Sequence, residues 1–212
     1  MRGIKVISFD LEGTLTKPDF TELVWFEGIP SLYARRVGID FEKAKSFVLQ
    51  KYEEVGDRRK EWYDIKYWFD LFGLQDYQGL LDSYKDRVTY YPDVLPVLSS
   101  LSGKYKLIVT TNAASEFLPY LLGGIRGYFV RTFSSISECG QLKSAEYFAS
   151  VCQVMGIHPD EMAHVGDSWE FDVIAARGAG VKAFHLDRAK GTDNADPLKS
   201  LLDLETRLGQ PE

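Results

Sequence analysis

The sequence predicts an α/β protein, a parallel β-sheet covered by helices on both faces and interrupted once by a helical insertion. Three observations carry this reading. Short apolar runs that read as buried strands alternate with segments of helical spacing. The first run, Val6 to Phe9, ends in Asp10-Leu11-Glu12-Gly13-Thr14, two carboxylates two positions apart before a glycine that lets the backbone turn sharply. From Lys17 to about Val88 the strand pattern gives way to helical spacing alone.

Within that insertion, Phe20 to Trp25 and Ser31 to Val37 are short helical pieces separated by Pro30. Asp40 is placed to cap a longer helix with Phe41, Ala44, Val48, Tyr52 and Val55 on one face and Gly56 at its end. Trp62, Ile65, Phe69 and Phe72 form a second stripe closed by Gly73. A third, Tyr77, Leu80, Leu81, Tyr84 and Val88, opens after Asp76. Prolines at Lys17-Pro18 and Tyr91-Pro92 mark the boundaries. The expected division is therefore a core of residues 1–16 and 91–212, with an inserted helical domain over 17–90.

Alternation then resumes. Val94 to Leu101 is helical and stops at Gly103; Tyr105 to Thr110 reads as a strand, as does Tyr128 to Phe133. Ala145 to Met155 is helical, Met162 to Val165 is a strand running into Gly166-Asp167, and Phe171 to Arg177 is a helix closed by Gly178. Val181 to Leu186 is the fifth strand. A polar loop, Arg188 to Asp196, leads to a final helix carrying Leu198, Leu201, Leu202, Leu204 and Leu208.

Bulk properties narrow the function. The 212 residues carry a formal charge of -6, which argues against nucleic acid as a partner, because a phosphate backbone needs a basic face. Small anionic substrates remain open to it, held by a local cation. No apolar run approaches the roughly 20 residues of a membrane span. The N-terminus enters the first strand without a leader pattern, and two cysteines, Cys139 and Cys152, are too few for a disulfide framework. A cytoplasmic location with no membrane partner is expected.

Five features fall at or beside predicted strand ends, where open α/β sheets place their ligands: Asp10 with Glu12, Thr111-Asn112, Lys143, Gly166-Asp167-Ser168, and Asp172. Four carboxylates against one ammonium leave three uncompensated negative charges in a partly dry cleft, unfavourable without compensation. That count calls for a hard divalent cation with oxygen ligands, for which magnesium fits, and for a raised pKa on one acid, Glu12.

These short motifs, in this order, resemble those of the haloacid dehalogenase-like (HAD) hydrolase superfamily, specifically its magnesium-dependent phosphatases with a helical cap inserted after the first motif. The resemblance covers nearly the whole chain. It implies a Rossmann-like sheet of order 5-4-1-2-3 and hydrolysis of a phosphate monoester of a small metabolite. By the same resemblance, Asp10 is the nucleophile that forms an aspartyl-phosphate, and Glu12 is the acid/base where the family usually carries aspartate. Thr111, Asn112 and Lys143 bind the phosphoryl group. Asp10, the Glu12 carbonyl and Asp167 hold Mg²⁺, and Asp172 supports the metal or Lys143 from behind. Glutamate is one methylene longer than aspartate, so its carboxyl must be placed by a compensating loop. The alternatives on this scaffold are dehalogenase, phosphonatase or phosphomutase chemistry, or a non-catalytic module that binds phosphorylated metabolites.

Outside the motifs, the residues read as structural. His164 is expected to pack in a strand. Most of Trp25, Trp62 and Trp68 are expected to hold the small helical domain together. Arg35-Arg36 and Arg58-Arg59 read as solvated charges, and Trp169 as a residue that can face the crevice.

Overall fold

In the computed structural model, residues 3–188 and 197–208 are described. Five parallel strands form one sheet of order β3-β2-β1-β4-β5, the predicted order written from the other edge. They are β1 (Val6–Phe9), β2 (Lys106–Thr111), β3 (Phe129–Ser134), β4 (Met162–Gly166) and β5 (Lys182–His185). β1 lies at the centre with every residue buried, as a parallel strand covered on both faces must be. Its side chains alternate. Ile7 and Phe9 join the larger core with Val109, Val165 and the inserted helices. Val6 joins a smaller core with Ile108, Phe148 and Met162 on the opposite face. Each such buried side chain contributes about 1.5–3 kcal/mol, which fixes the register: Phe9 pairs with Val109 on one side and Val165 on the other.

The insertion after β1 is helical, with α1 (Asp19–Leu23), α2 (Ile29–Val37), α3 (Phe41–Val55), α4 (Ile65–Phe72) and α5 (Tyr77–Tyr84). Pro30 does not break it. The helix widens into a π-type turn over Val24–Gly28, and Pro30 sits in the first turn of α2, where its missing N–H costs little. Asp40, Asp64 and Asp76 cap the next three helices through backbone N–H groups of Lys43, of Lys66 and Tyr67, and of Gly79. Trp68 is fully buried and meets Tyr52 edge-on at 4.5 Å. Trp25 lies between Tyr52 and Phe117 of the sheet domain.

The remaining helices are α6 (Val94–Ser102), α7 (Leu118–Leu121), α8 (Ser135–Cys139), α9 (Ala145–Met155), α10 (Ala175–Gly178) and α11 (Asp203–Leu208). The short α7 and α8 have too few turns to show a period in sequence. Two expectations change. The helix expected from Phe171 begins as a π-type turn over Trp169–Ile174. The final helix is shorter than its leucine pattern suggests: Leu198 instead bridges Leu186 in extended backbone, and α11 begins at Asp203. Most of the polar loop, residues 189–196, lies outside the described residues. No helix among the described residues is long and apolar enough to cross a membrane.

Candidate active site

The carboxyl ends of β1, β2 and β4 open into one cleft, and the local backbone explains how each group reaches it. The Asp10 N–H still bonds Val165 O at 2.9 Å, so Asp10 is held in strand-like backbone. Gly13, at φ +75°, then reverses the chain. A side chain at Gly13 would collide with the Asp167 carboxyl, so the glycine serves both the turn and the approach of Asp167. Arg188 braces this turn from outside. It donates to Thr14 O at 2.7 Å and pairs with Asp93 at 3.0 Å.

Asp10, Asp167 and Asp172 each bring a carboxylate oxygen within 4.8 Å of the other two. Lys143, only 5% exposed, donates to Asp10 Oδ1 at 2.6 Å and also to Asp172 Oδ1. Its backbone N–H bonds Asn112 Oδ1 at 2.8 Å, and Ser135 Oγ donates to the same oxygen at 2.7 Å. Asn112 thus anchors the Lys143 loop to the end of β2. Thr111 is buried beside it and accepts the Ala113 N–H at 3.1 Å.

The electrostatics separate the carboxylates. Burial raises Asp10 well above the usual carboxylate range; Lys143 opposes this, while Asp172 and Asp167 add to it. Asp167 is exposed as a residue, but its carboxyl lies against Gly13. Burial of that group, with the charge of Asp172, pushes it up to about 7. Asp172 is the opposite case. Burial raises it, but Lys143 and His164 outweigh burial and hold it well below the usual range. Lys143 stays charged, since Asp10 and Asp172 outweigh its own desolvation. Two inward carboxyls that resist ionisation beside one committed carboxylate form a site short of positive charge. An oxygen-donor set of this kind fits a hard divalent cation.

Glu12 departs from this group. Its carboxyl is not one of the three clustered acids and lies on the side of Thr21 of α1. Burial raises its pKa, as the charge count requires of one acid.

Two residues that the sequence reading left structural, or did not single out, also reach the site. His164 is fully buried, as expected of a packing residue, but its Nε2 bonds Asp172 Oδ1 at 3.0 Å. Tyr63, in the single turn Lys60–Tyr63 before α4, lies close enough to the cleft to feel the charges of Lys143 and Asp10. An aromatic in a polar turn carries no signal of that placement. Arg58 pairs across the cleft with Glu170 at 3.1 Å, and Lys66 with Glu116. Arg36 instead closes the end of α4 by donating to Phe72 O. Trp169 sits edge-on to His185, under Arg177.

Comparison with known proteins agrees with this architecture. A phosphoglycolate phosphatase of Vibrio vulnificus is 30% identical over 214 residues, covering 93% of this chain and 89% of the relative. A glyceraldehyde 3-phosphate phosphatase of Methanocaldococcus jannaschii is 26% identical, covering 91% and 89%. The crystal structure of a HAD phosphatase from Thermococcus onnurineus superposes with a TM-score of 0.87 at 25% identity, covering 97% of this chain and 98% of that one. The family model for haloacid dehalogenase-like hydrolases matches residues 4–180, a span that holds the cleft, the helical insertion and four of the five strands. On that match the chain belongs to the haloacid dehalogenase-like hydrolase family.

Proposed function

We propose that the protein is a magnesium-dependent phosphatase that hydrolyses a phosphate monoester of a small metabolite through an aspartyl-phosphate on Asp10. The observation that carries this reading is the placement of Lys143 Nζ 2.6 Å from Asp10 Oδ1, in the same cleft as Asp167. A carboxylate is a weak nucleophile toward a phosphate dianion unless nearby positive charge offsets their repulsion. Lys143 supplies part of that charge on one oxygen of Asp10 and leaves the other to attack.

Asp10, Asp167 and the Glu12 carbonyl would hold Mg²⁺, which supplies charge neutralisation on the phosphoryl oxygens and on the acids themselves. Thr111 and Asn112 would bind the phosphoryl group at the end of β2. Glu12, whose pKa burial raises, would give a proton to the leaving oxygen and then take one from the hydrolytic water. Asp172 would serve Lys143, since its Oδ1 is bonded to Lys143 and His164 and its Oδ2 accepts the Ser168 N–H.

Residues 17–90 would act as a cap over a core of residues 1–16 and 91–212. Closure would exclude bulk water and select the leaving group. The relatives named for phosphoglycolate and glyceraldehyde 3-phosphate support a short, anionic or polar leaving group.

The test offers para-nitrophenyl phosphate, phosphoglycolate, glyceraldehyde 3-phosphate and a panel of phosphorylated metabolites, with and without Mg²⁺, to the native protein and to Asp10→Asn. Magnesium-dependent release of phosphate by the native protein alone is expected. Equal rates from both proteins would remove Asp10 as nucleophile, and activity indifferent to chelation would remove the metal.

A further inference from the structure

Central parallel strands are ordinarily filled by apolar side chains, yet three polar residues stand side by side in this sheet. Ser8 of β1 pairs in register with His164 of β4, and Thr110 of β2 lies within reach of both. All three are fully buried. Ser8 Oγ and Thr110 Oγ1 are 2.7 Å apart. His164 Nδ1 is 2.9 Å from Ser8 Oγ and 3.3 Å from Thr110 Oγ1, and its Nε2 is 3.0 Å from Asp172 Oδ1. The imidazole is held edge-on by Phe148, with ring centres 4.8 Å apart.

Apolar residues of similar size would stabilise this sheet at least as well, because a buried polar group costs free energy and recovers it only when fully bonded. A break in the local rule of this kind points to a site. Here the bonds run in one direction, towards the cleft.

We propose that the Thr110–Ser8–His164 chain positions the reacting groups by fixing the Asp172 carboxylate, and through it the Lys143 ammonium against Asp10. An ionised carboxylate only accepts hydrogen bonds, so the His164 Nε2 atom carries the proton and its Nδ1 atom accepts one from a hydroxyl. The shortest connected order is Thr110 donating to Ser8 and Ser8 donating to Nδ1. This fixes one neutral tautomer, and burial disfavours its charging. Asp172 Oδ2 is meanwhile fixed by the Ser168 N–H at 2.9 Å. With both oxygens held, the carboxylate cannot rotate, and Lys143 has a fixed anchor opposite Asp10. Without His164, Asp172 keeps its charge partner but loses its orientation, and the ammonium can drift from the position that serves attack.

The inference rests on the phosphatase reading for its kinetic consequence, so its test has one arm that does not. With Mg²⁺ and saturating substrate, His164→Leu is expected to lower kcat by about 10–100-fold with KM changed far less, the size seen when a residue that orients a reacting group is removed. His164→Gln, whose side-chain N–H can reach Asp172, should recover kcat to within about fivefold of the native protein. Independently, the Lys143 ammonium should give a slowly exchanging ¹H–¹⁵N signal in the native protein and in His164→Gln, and lose it in His164→Leu.

Folded His164→Leu with native kcat and an intact Lys143 signal would overturn the proposal. If His164→Leu does not fold, Ser8→Ala replaces it, with a smaller kcat loss and faster ammonium exchange expected; native values in both would likewise overturn it. A native protein without phosphatase activity would count against the phosphatase reading alone, and the ammonium signal would still decide the role of His164.

Discussion

At the floor of the cleft, Asp10, Lys143 and Asp172 are at most 6% exposed, and each is tied into the sheet by short bonds. Above them, as a ceiling, the helical insertion packs on the core through Phe20 and Trp25 against Phe117, and at its rim through Arg58–Glu170 and Lys66–Glu116, pairs whose basic side chains are 79% and 53% exposed. Buried pairs of the first kind are held by register and by the cost of breaking them. Exposed pairs of the second kind contribute about 0–1 kcal/mol each and weaken with salt. The contrast separates two tasks. The floor holds its charged groups in fixed places, whereas the rim pairs add little to holding the insertion, which rests on its apolar contacts.

The largest effect should come from the floor. Asp10→Asn keeps the side-chain shape and removes the nucleophile, so kcat should fall by about four orders of magnitude or more, as when a covalent nucleophile is removed from a catalytic unit. Near-native circular dichroism and thermal midpoint would show that the fold survives. A fall under about tenfold would mean that the floor does not carry the chemistry.

Next is Lys143→Met. It leaves Asp10 and Asp172 facing each other without their shared cation, and breaking a buried pair in this way costs about 3–5 kcal/mol. Urea unfolding would read that loss, and activity should fall with it. If stability were unchanged, the floor would be no more tightly built than the ceiling.

A third outcome concerns pH. Burial raises both Asp10 and Asp167, the latter to about 7. Both therefore bind protons more tightly folded than unfolded. Their contribution to stability is fully present below the unfolded carboxylate pKa, about 4, and is lost as pH rises through the raised folded pKa of each, about 7 for Asp167. Asp172, held low, titrates below this window. In chelator, the thermal midpoint should fall as pH rises from about 5 to about 8, and Mg²⁺ should reverse the fall with an affinity that increases with pH, since the protons must leave. A midpoint flat or rising over that range would contradict the raised carboxyls.

Smaller effects belong to the ceiling. Tyr63→Phe removes a hydroxyl close to Asp10 and Lys143 and should lower kcat/KM on short phosphoesters by about tenfold or less. Arg58→Gln should change KM by at most about fivefold, and less in high salt.

The floor was largely legible in sequence and the ceiling was not. Asp10, Lys143, Asp167 and Asp172 each follow a strand or precede a helix, and period and glycine placement reveal those elements without knowledge of the tertiary fold. Strand ends of one sheet then converge by topology alone. Tyr63 comes close to Asp10 and Lys143 only because the insertion folds over the core, and no local spacing encodes that. His164 was legible as buried but not as bonded, since a histidine in an apolar strand looks the same whether its nitrogens meet a hydroxyl or a carboxylate. Pro30 misled in the other direction. It reads as a break, but a widened helical turn before it absorbs the missing N–H.

The most direct measurement of the central claim is to mix the protein with Mg²⁺ and a turned-over phosphate ester, quench rapidly in acid, and locate the phosphoryl group by peptide mass spectrometry. An acyl-phosphate on the peptide carrying Asp10, absent from Asp10→Asn, is the predicted result. A protein that turns over substrate while its phosphoryl group sits on another residue, or on none at any quench time, would contradict it.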